Sequence, residues 1–164
     1  MYAQRNASAA PRSRFGYNRP VPTRVRMGLV MRKGMDFGEL GDMEGALRAE
    51  GVGLAPISTG EGSMMAEGVM VLATATAADI ADGRVRGLVV PGGSADEPGL
   101  AAVRSLLDLA KANNLPVLAF GDAVALASET FGVASDAPGA VFASGKVTPV
   151  NDRAALAPLL AVIS

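Results

Sequence analysis

The chain contains no cysteine and no histidine. These two absences exclude most common catalytic constellations. There is no thiolate nucleophile, and no Ser-His-Asp or Cys-His pair can be assembled. Zinc sites built from Cys and His are excluded, and a site made of carboxylates alone would suit Mg²⁺ or Ca²⁺. Without disulfides, the redox compartment cannot be read from the sequence. Aromatic residues make up only 4% of the chain and tryptophan is absent. That poverty, with an acidic body, argues against a dedicated nucleic-acid reader. No apolar run reaches the ~18 residues of a membrane-spanning helix. No charged-then-apolar leader opens the chain, so the expected location is the cytoplasm.

What is present suits one globular domain. The chain has 164 residues, 49% of them hydrophobic and 19% charged, enough for a real core. Net charge is −1, but it is unevenly spread. Residues 1–26 hold six arginines and no acid, whereas the remainder has nine basic and sixteen acidic residues, a charge of −7. Residues 1–23 show no apolar periodicity, and Pro11, Pro20 and Pro22 discourage a helix. The composition has something of an organellar transit peptide, but without a clear amphipathic helix. The expectation is an Arg-rich arm over 1–23, either a solvated tail or docked at an interface of a homo-oligomer, followed by a single α/β domain over 24–164.

Apolar runs of strand type alternate with helical spacings. Strands are predicted at Arg24–Met31 and Val52–Ser58, within the stretch Gly68–Ile80 ahead of an Ala-rich turn, at Val85–Ser94 and at Pro116–Phe120. Late strands are expected at Phe131–Ser135 and Ala140–Ser144. Helices are predicted over Asp36–Gly51, with Leu40, Met43 and Leu47 on one face, and over Glu97–Asn114, with Leu100, Val103, Leu107 and Ala110 on the inner stripe. Further helices are expected near Asp122–Thr130 and over Asp152–Ile163, where Pro158 would kink or break the run. This alternation predicts a doubly wound, mostly parallel sheet with helices on both faces, its chemistry beyond the strands' C-terminal ends.

Three features fall at that edge. In "VVPGGS", Pro91 fixes a turn, and Gly92 and Gly93 allow close backbone approach, with Ser94 following. Free N–H groups there could form an oxyanion hole, although a plain strand-ending turn accounts for the same residues. In "LPVLAFGDAVAL", a strand meets Gly121-Asp122 and turns into a helix. Gly121 can bear the strained backbone of such a corner. Asp122 can cap free N–H groups of the helix that follows, and at that place it would compete with a bound anion. Glu39, in the first helix, reads in isolation as a surface acid.

Together these residues resemble the ThiJ/PfpI superfamily of class I glutamine-amidotransferase-like proteins, over roughly Arg24–Thr130. In that family a Pro-Gly-Gly turn is followed by an apolar strand ending in Ala-Ile-Cys-His-Gly. Here Ala119–Ala123 reads Ala-Phe-Gly-Asp-Ala. The family's cysteine falls on Gly121, its histidine on Asp122 and its helix glutamate on Glu39, while Gly92 and Gly93 match the backbone oxyanion region. The resemblance implies a flavodoxin-like fold. It is closer still to the domain appended to the C-terminus of large-subunit catalases, which carries a Gly-Asp-Ala corner without the cysteine. The 164 residues contain no haem-binding catalase domain.

Without a thiolate, the superfamily's hydrolase, deglycase and glyoxalase-like activities lose their first step. The leading expectation is a non-catalytic protein acting in assembly, stabilisation or chaperone-like protection, with no cofactor and no metal. The alternative is a small-molecule binding module using Glu39, Gly92, Gly93, Ser94, Gly121 and Asp122. Third comes an enzyme with Asp122 and Glu39 as paired carboxylates, although two ligands are few for Mg²⁺.

Overall fold

In the computed structural model the residues described are 25–32, 43–59, 63–66, 69–93, 97–150 and 153–163. The strands are β1 (Val25–Val30), β2 (Val52–Ile57), β3 (Ser63–Ala66), β4 (Val69–Leu72), β5 (Leu88–Val90), β6 (Val117–Phe120), β7 (Gly139–Ala143) and β8 (Lys146–Pro149). The helices are α1 (Met43–Ala49), α2 (Ala77–Ala81), α3 (Glu97–Ala112), α4 (Asp122–Phe131) and α5 (Ala157–Ile163).

Six strands form one sheet in the order β2-β1-β5-β6-β7-β8. The first four run parallel, and β7 and β8 are antiparallel additions at one side. A parallel strand covered on both faces must be apolar along its whole length. The runs "LVV" of β5 and "VLAF" of β6 meet that requirement, and every residue in them is buried.

The two faces carry separate cores. On one, α2, α3 and α4 bring Ile80, Val103, Leu107 and Val124 against Val30, Leu88 and Phe142. On the other, α1 and α5 bring Met43, Leu47, Leu159 and Ile163 against Met27, Leu118 and Val141. Each fully buried side chain of this size contributes roughly 1.5–3 kcal/mol. In α3 the buried positions Val103, Leu106, Leu107 and Ala110 recur at helical spacing, so this helix lies flat on the sheet. It ends where Asn114 turns to φ 56° and the Leu115 N–H bonds back to the Ala110 carbonyl.

The doubly wound, mostly parallel sheet expected from the sequence is present, with four differences in detail. Phe131–Ser135 is no strand. Phe131 closes α4, and Gly132 at φ 72° caps that helix through its N–H on the Ser128 carbonyl. The Ala-rich turn after Leu72 contains α2, whose entry is held by the Thr76 N–H on an Asp79 carboxylate oxygen at 2.8 Å. An additional hairpin, β3–β4, stands apart from the main sheet, and β8 joins β7 through a two-residue turn. The closing helix is broken close to Pro158, as expected. A 3₁₀ turn over Arg153–Leu156 precedes α5, and Pro158 sits in the first turn of α5, where its missing N–H costs little. Residues 1–24, the first part of the Asp36–Gly51 helix, and Asp152 lie outside the described residues.

Tight strand packing makes a testable demand at Gly87, just before β5. A methyl group there would meet Met27 Cε at 2.9 Å and the Pro116 carbonyl oxygen at 3.1 Å. That oxygen accepts the Leu88 N–H and cannot retreat without breaking the β5–β6 pairing. Gly87→Ala is therefore expected to destabilise by roughly 1–3 kcal/mol, read by urea denaturation. An unchanged midpoint would show that the strands pack less closely here.

Candidate functional site

The site grows from the end of β1. After Val30, the Met31 N–H still bonds the Ile57 carbonyl, carrying the pairing with β2 one step further. The next residue, Arg32, is the one buried charged residue among those described, its side chain only 2% exposed. β1 is flanked by β2 on one side and β5 on the other. The connections from β1 and β5 therefore diverge at their C-terminal ends, which is where a crevice opens in a doubly wound sheet. Arg32 lies at that edge, bonded to residues beyond β5 and β6.

A buried guanidinium needs acceptors for its donors and a counter-charge. Arg32 finds them on two other strand ends. Nη1 donates to the Pro91 carbonyl beyond β5 at 3.1 Å. Nη1 and Nη2 then donate to the two carboxylate oxygens of Asp122 at 2.6 and 3.0 Å. This bidentate fork matches guanidinium to carboxylate and is the strong form of the interaction. Asp122 opens α4, and its Oδ1 also accepts the Gly93 N–H at 3.2 Å. Its side chain remains 39% exposed. Burial alone would raise the Asp122 pKa. The hydrogen bonds and charge of Arg32, with the N–H groups of Gly93 and of Asp122 itself, outweigh it, so the carboxyl titrates below its ordinary value.

Gly121 makes the corner between β6 and α4. Its backbone stands at φ 58° and ψ −133°, close to the first central position of a type II′ turn and a region that only glycine enters cheaply. The corner is tied at both ends. The Gly121 N–H bonds the Pro138 carbonyl at 3.0 Å, and its own carbonyl accepts the Val124 N–H at 3.2 Å. The sharp turn is therefore part of how β6, β7 and α4 pack.

Of the residues singled out in the sequence, the fold brings Gly93, Gly121 and Asp122 together, with Gly92 buried next to Gly93. Glu39 and Ser94 lie outside the described residues. Two expectations change. The Gly93 N–H is not a free oxyanion donor, because Asp122 takes it. The Asp122 carboxylate is not simply a helix cap or a solvated group, because Arg32 holds both its oxygens. Arg32 went unnoticed in the sequence. The signal was a lone arginine immediately beyond a buried strand, but its meaning depends on a partner 90 positions away. Among the described residues, no group of three or more Asp, Glu, His or Cys could hold a metal ion, and no helix is long and apolar enough to cross a membrane.

No family model and no curated protein matches this chain. Solved structures do. Toxoplasma gondii DJ-1 in its oxidised form is 19% identical with a TM-score of 0.50, over 65% of this chain and 60% of that one. A DJ-1 superfamily protein from Agrobacterium tumefaciens is 16% identical with a TM-score of 0.52, over 65% and 58%. An AraC family transcriptional regulator from Pseudomonas putida is 15% identical with a TM-score of 0.53, over 84% and 89%. The match thus spans less than two thirds of the length of the first two proteins. At these identities the likeness is one of fold, and it is the fold of ThiJ/PfpI/DJ-1 superfamily structures.

The ion pair and the corner each yield an expected outcome. Asp122→Ala strands a buried guanidinium and is expected to cost about 2–4 kcal/mol, below the full penalty for a buried pair because Asp122 is partly solvated. Arg32→Met leaves a carboxylate that can reach water, so it is expected to cost less. Adding Arg32→Met to Asp122→Ala should then recover stability. A double variant no better than Asp122→Ala alone would remove the pair from its organising role. The folded pKa of Asp122 is depressed, so its contribution is complete above the unfolded value of 3.8 and is lost as pH falls through the lower folded value. The stability gap between wild type and Asp122→Asn should accordingly stay level at neutral and mildly acidic pH and close only in strong acid. Gly121→Ala is expected to cost about 1–3 kcal/mol through its positive φ, measured by thermal melting.

Proposed function

We propose that this chain, with a ThiJ/PfpI/DJ-1 type fold and glycine at its elbow, is a non-catalytic protein of the kind appended to large-subunit catalases. On this reading it acts in assembly, stabilisation or chaperone-like protection, in the cytoplasm. One observation carries the reading: the Asp122 carboxylate sits on the Gly93 N–H and the Arg32 fork. Acyl transfer at a strand–turn–helix corner requires a nucleophile, a base and free donors for the developing oxyanion. The sequence offers neither thiol nor imidazole, and the chain's own carboxylate occupies the Gly93 donor. Asp122 itself is a poor general base, since a pKa held below the ordinary range leaves little tendency to take up a proton near neutrality. The same occupancy weighs against an anionic small molecule bound between Gly93 and Gly121.

In this proposal the Arg-rich arm over 1–23 lies against the acidic body of a second copy. Attraction between segments of opposite charge supports the idea, and exchange of an arm is a low-cost route to dimers. Salt would weaken such a contact.

Two measurements test these statements. Purified protein incubated with peptide, amide and methylglyoxal substrates is expected to match buffer. Turnover that persists through repurification and falls in Asp122→Asn would overturn the non-catalytic reading. Deleting residues 1–23 is expected to lower the mass seen by light scattering, most clearly at low salt. An unchanged mass would make the arm irrelevant to assembly.

A further inference from the structure

A cavity lies at the opposite end of the sheet from the Gly121 corner. The pairing places Gly139 beside Phe120 at the corner end and Phe142 beside Val117 at the other. The cavity opens beyond that second end, between the ends of α3 and α4 and the β7–β8 turn. Its volume is about 460 Å³, within the usual range of small-ligand pockets.

The lining divides by chemistry. Phe142, fully buried, and Phe131, half-buried, form a stacked pair with ring centroids 5.8 Å apart and planes 21° apart. Leu115 and Val133 extend this apolar surface. At the exposed rim stand Lys111, at the end of α3, and Lys146, the first residue of β8. Among the described residues, no acidic side chain lines the cavity, and neither ammonium has an ion-pair partner.

Each lysine has an ordinary local use. Lys111 complements the α3 dipole and Lys146 charges an edge strand. Neither use requires the two to share one cavity with an apolar floor. The helix ends themselves would repel an anion, but several of their last carbonyls are already engaged. The Asn113 side chain and backbone N–H both bond the Leu109 carbonyl, the Leu115 N–H takes that of Ala110, and the Gly132 N–H takes that of Ser128. The rim is also preformed. Asn114 at φ 56° and Ser144 at φ 53° are the two non-glycine residues with positive φ among those described. With Gly145 at φ 75°, Ser144 makes the kind of two-residue hairpin turn that fixes where Lys146 begins. A cavity whose walls are set before binding loses less on ordering a ligand.

We propose that this cavity is a binding site for a small organic anion with a flat apolar body, an aromatic carboxylate being the chemical class that fits. The ring lies against Phe131, Leu115 and Val133, and the carboxylate meets Lys111 and Lys146 at the rim. The site is independent of the Arg32–Asp122 corner and of whether that corner is catalytic.

The test is a titration of the full chain, followed by amide chemical shifts, with 1-naphthoate and with its neutral analogue 1-naphthylmethanol. Saturable shifts at Leu115, Ser144 and Gly145 are expected with naphthoate. The alcohol is expected to bind about tenfold more weakly or worse, and the Lys111→Gln/Lys146→Gln variant should lose naphthoate affinity by a similar factor. Both lysines are exposed, so that variant should melt as wild type does. No saturation by about 5 mM naphthoate would overturn the proposal. So would equal affinity for acid and alcohol, binding undiminished in the double variant, or shifts confined to the Gly93–Gly121 corner.

Discussion

A guanidinium shut away from water has to be met by acceptors and a counter-charge, and the C-terminal edge of this sheet is arranged around that requirement. Arg32 gathers three strand ends through hydrogen bonds: its own beyond β1, the Pro91 carbonyl beyond β5, and Asp122 beyond β6. Asp122 then reaches back to the Gly93 N–H, so that β5 and β6 are tied by side chain as well as by ladder. In a doubly wound sheet this is where a ligand usually lies. Here the ends of the strands are bridged by the protein itself, and the positive end of α4 faces a carboxylate the chain supplies.

The two ends of the sheet are thereby opposite in character. At the C-terminal end, Arg32 and Asp122 are paired and the Gly93 N–H is taken. At the other, two ammonium groups stand over an apolar floor, with no acidic side chain in the lining among the described residues. The first arrangement expends its electrostatics on holding the fold together. The second leaves them available to something from outside.

Much of the fold was legible in the sequence because its central strands are short apolar runs bounded by turn residues. "LVV" before Pro-Gly-Gly and "VLAF" before Gly-Asp leave few alternatives, and the stripe of α3 is regular. The misread elements are those whose conformation depends on neighbours. Phe131–Ser135 has the composition of a strand, yet Phe131 is needed to finish α4 and to stack on Phe142. β8 reads "KVTP", too polar and too short to stand out, and exists because β7 offers it an edge. At the corner, the glycine and its neighbouring acid could be picked out from local pattern. Arg32 could not, because its role comes from β1 lying beside β5, a fact of topology rather than of spacing.

The neutralised corner also constrains how this lineage could change. A cysteine placed at position 121 would carry the backbone strain now borne by glycine. Replacing Asp122 first would leave Arg32 buried without its counter-ion. Replacing Arg32 first would free the carboxylate but add no nucleophile. Each of these three steps, taken alone, thus lowers stability or adds no nucleophile. The Arg32–Asp122 pair acts in this sense as a ratchet: neither partner is given up singly without a cost in stability.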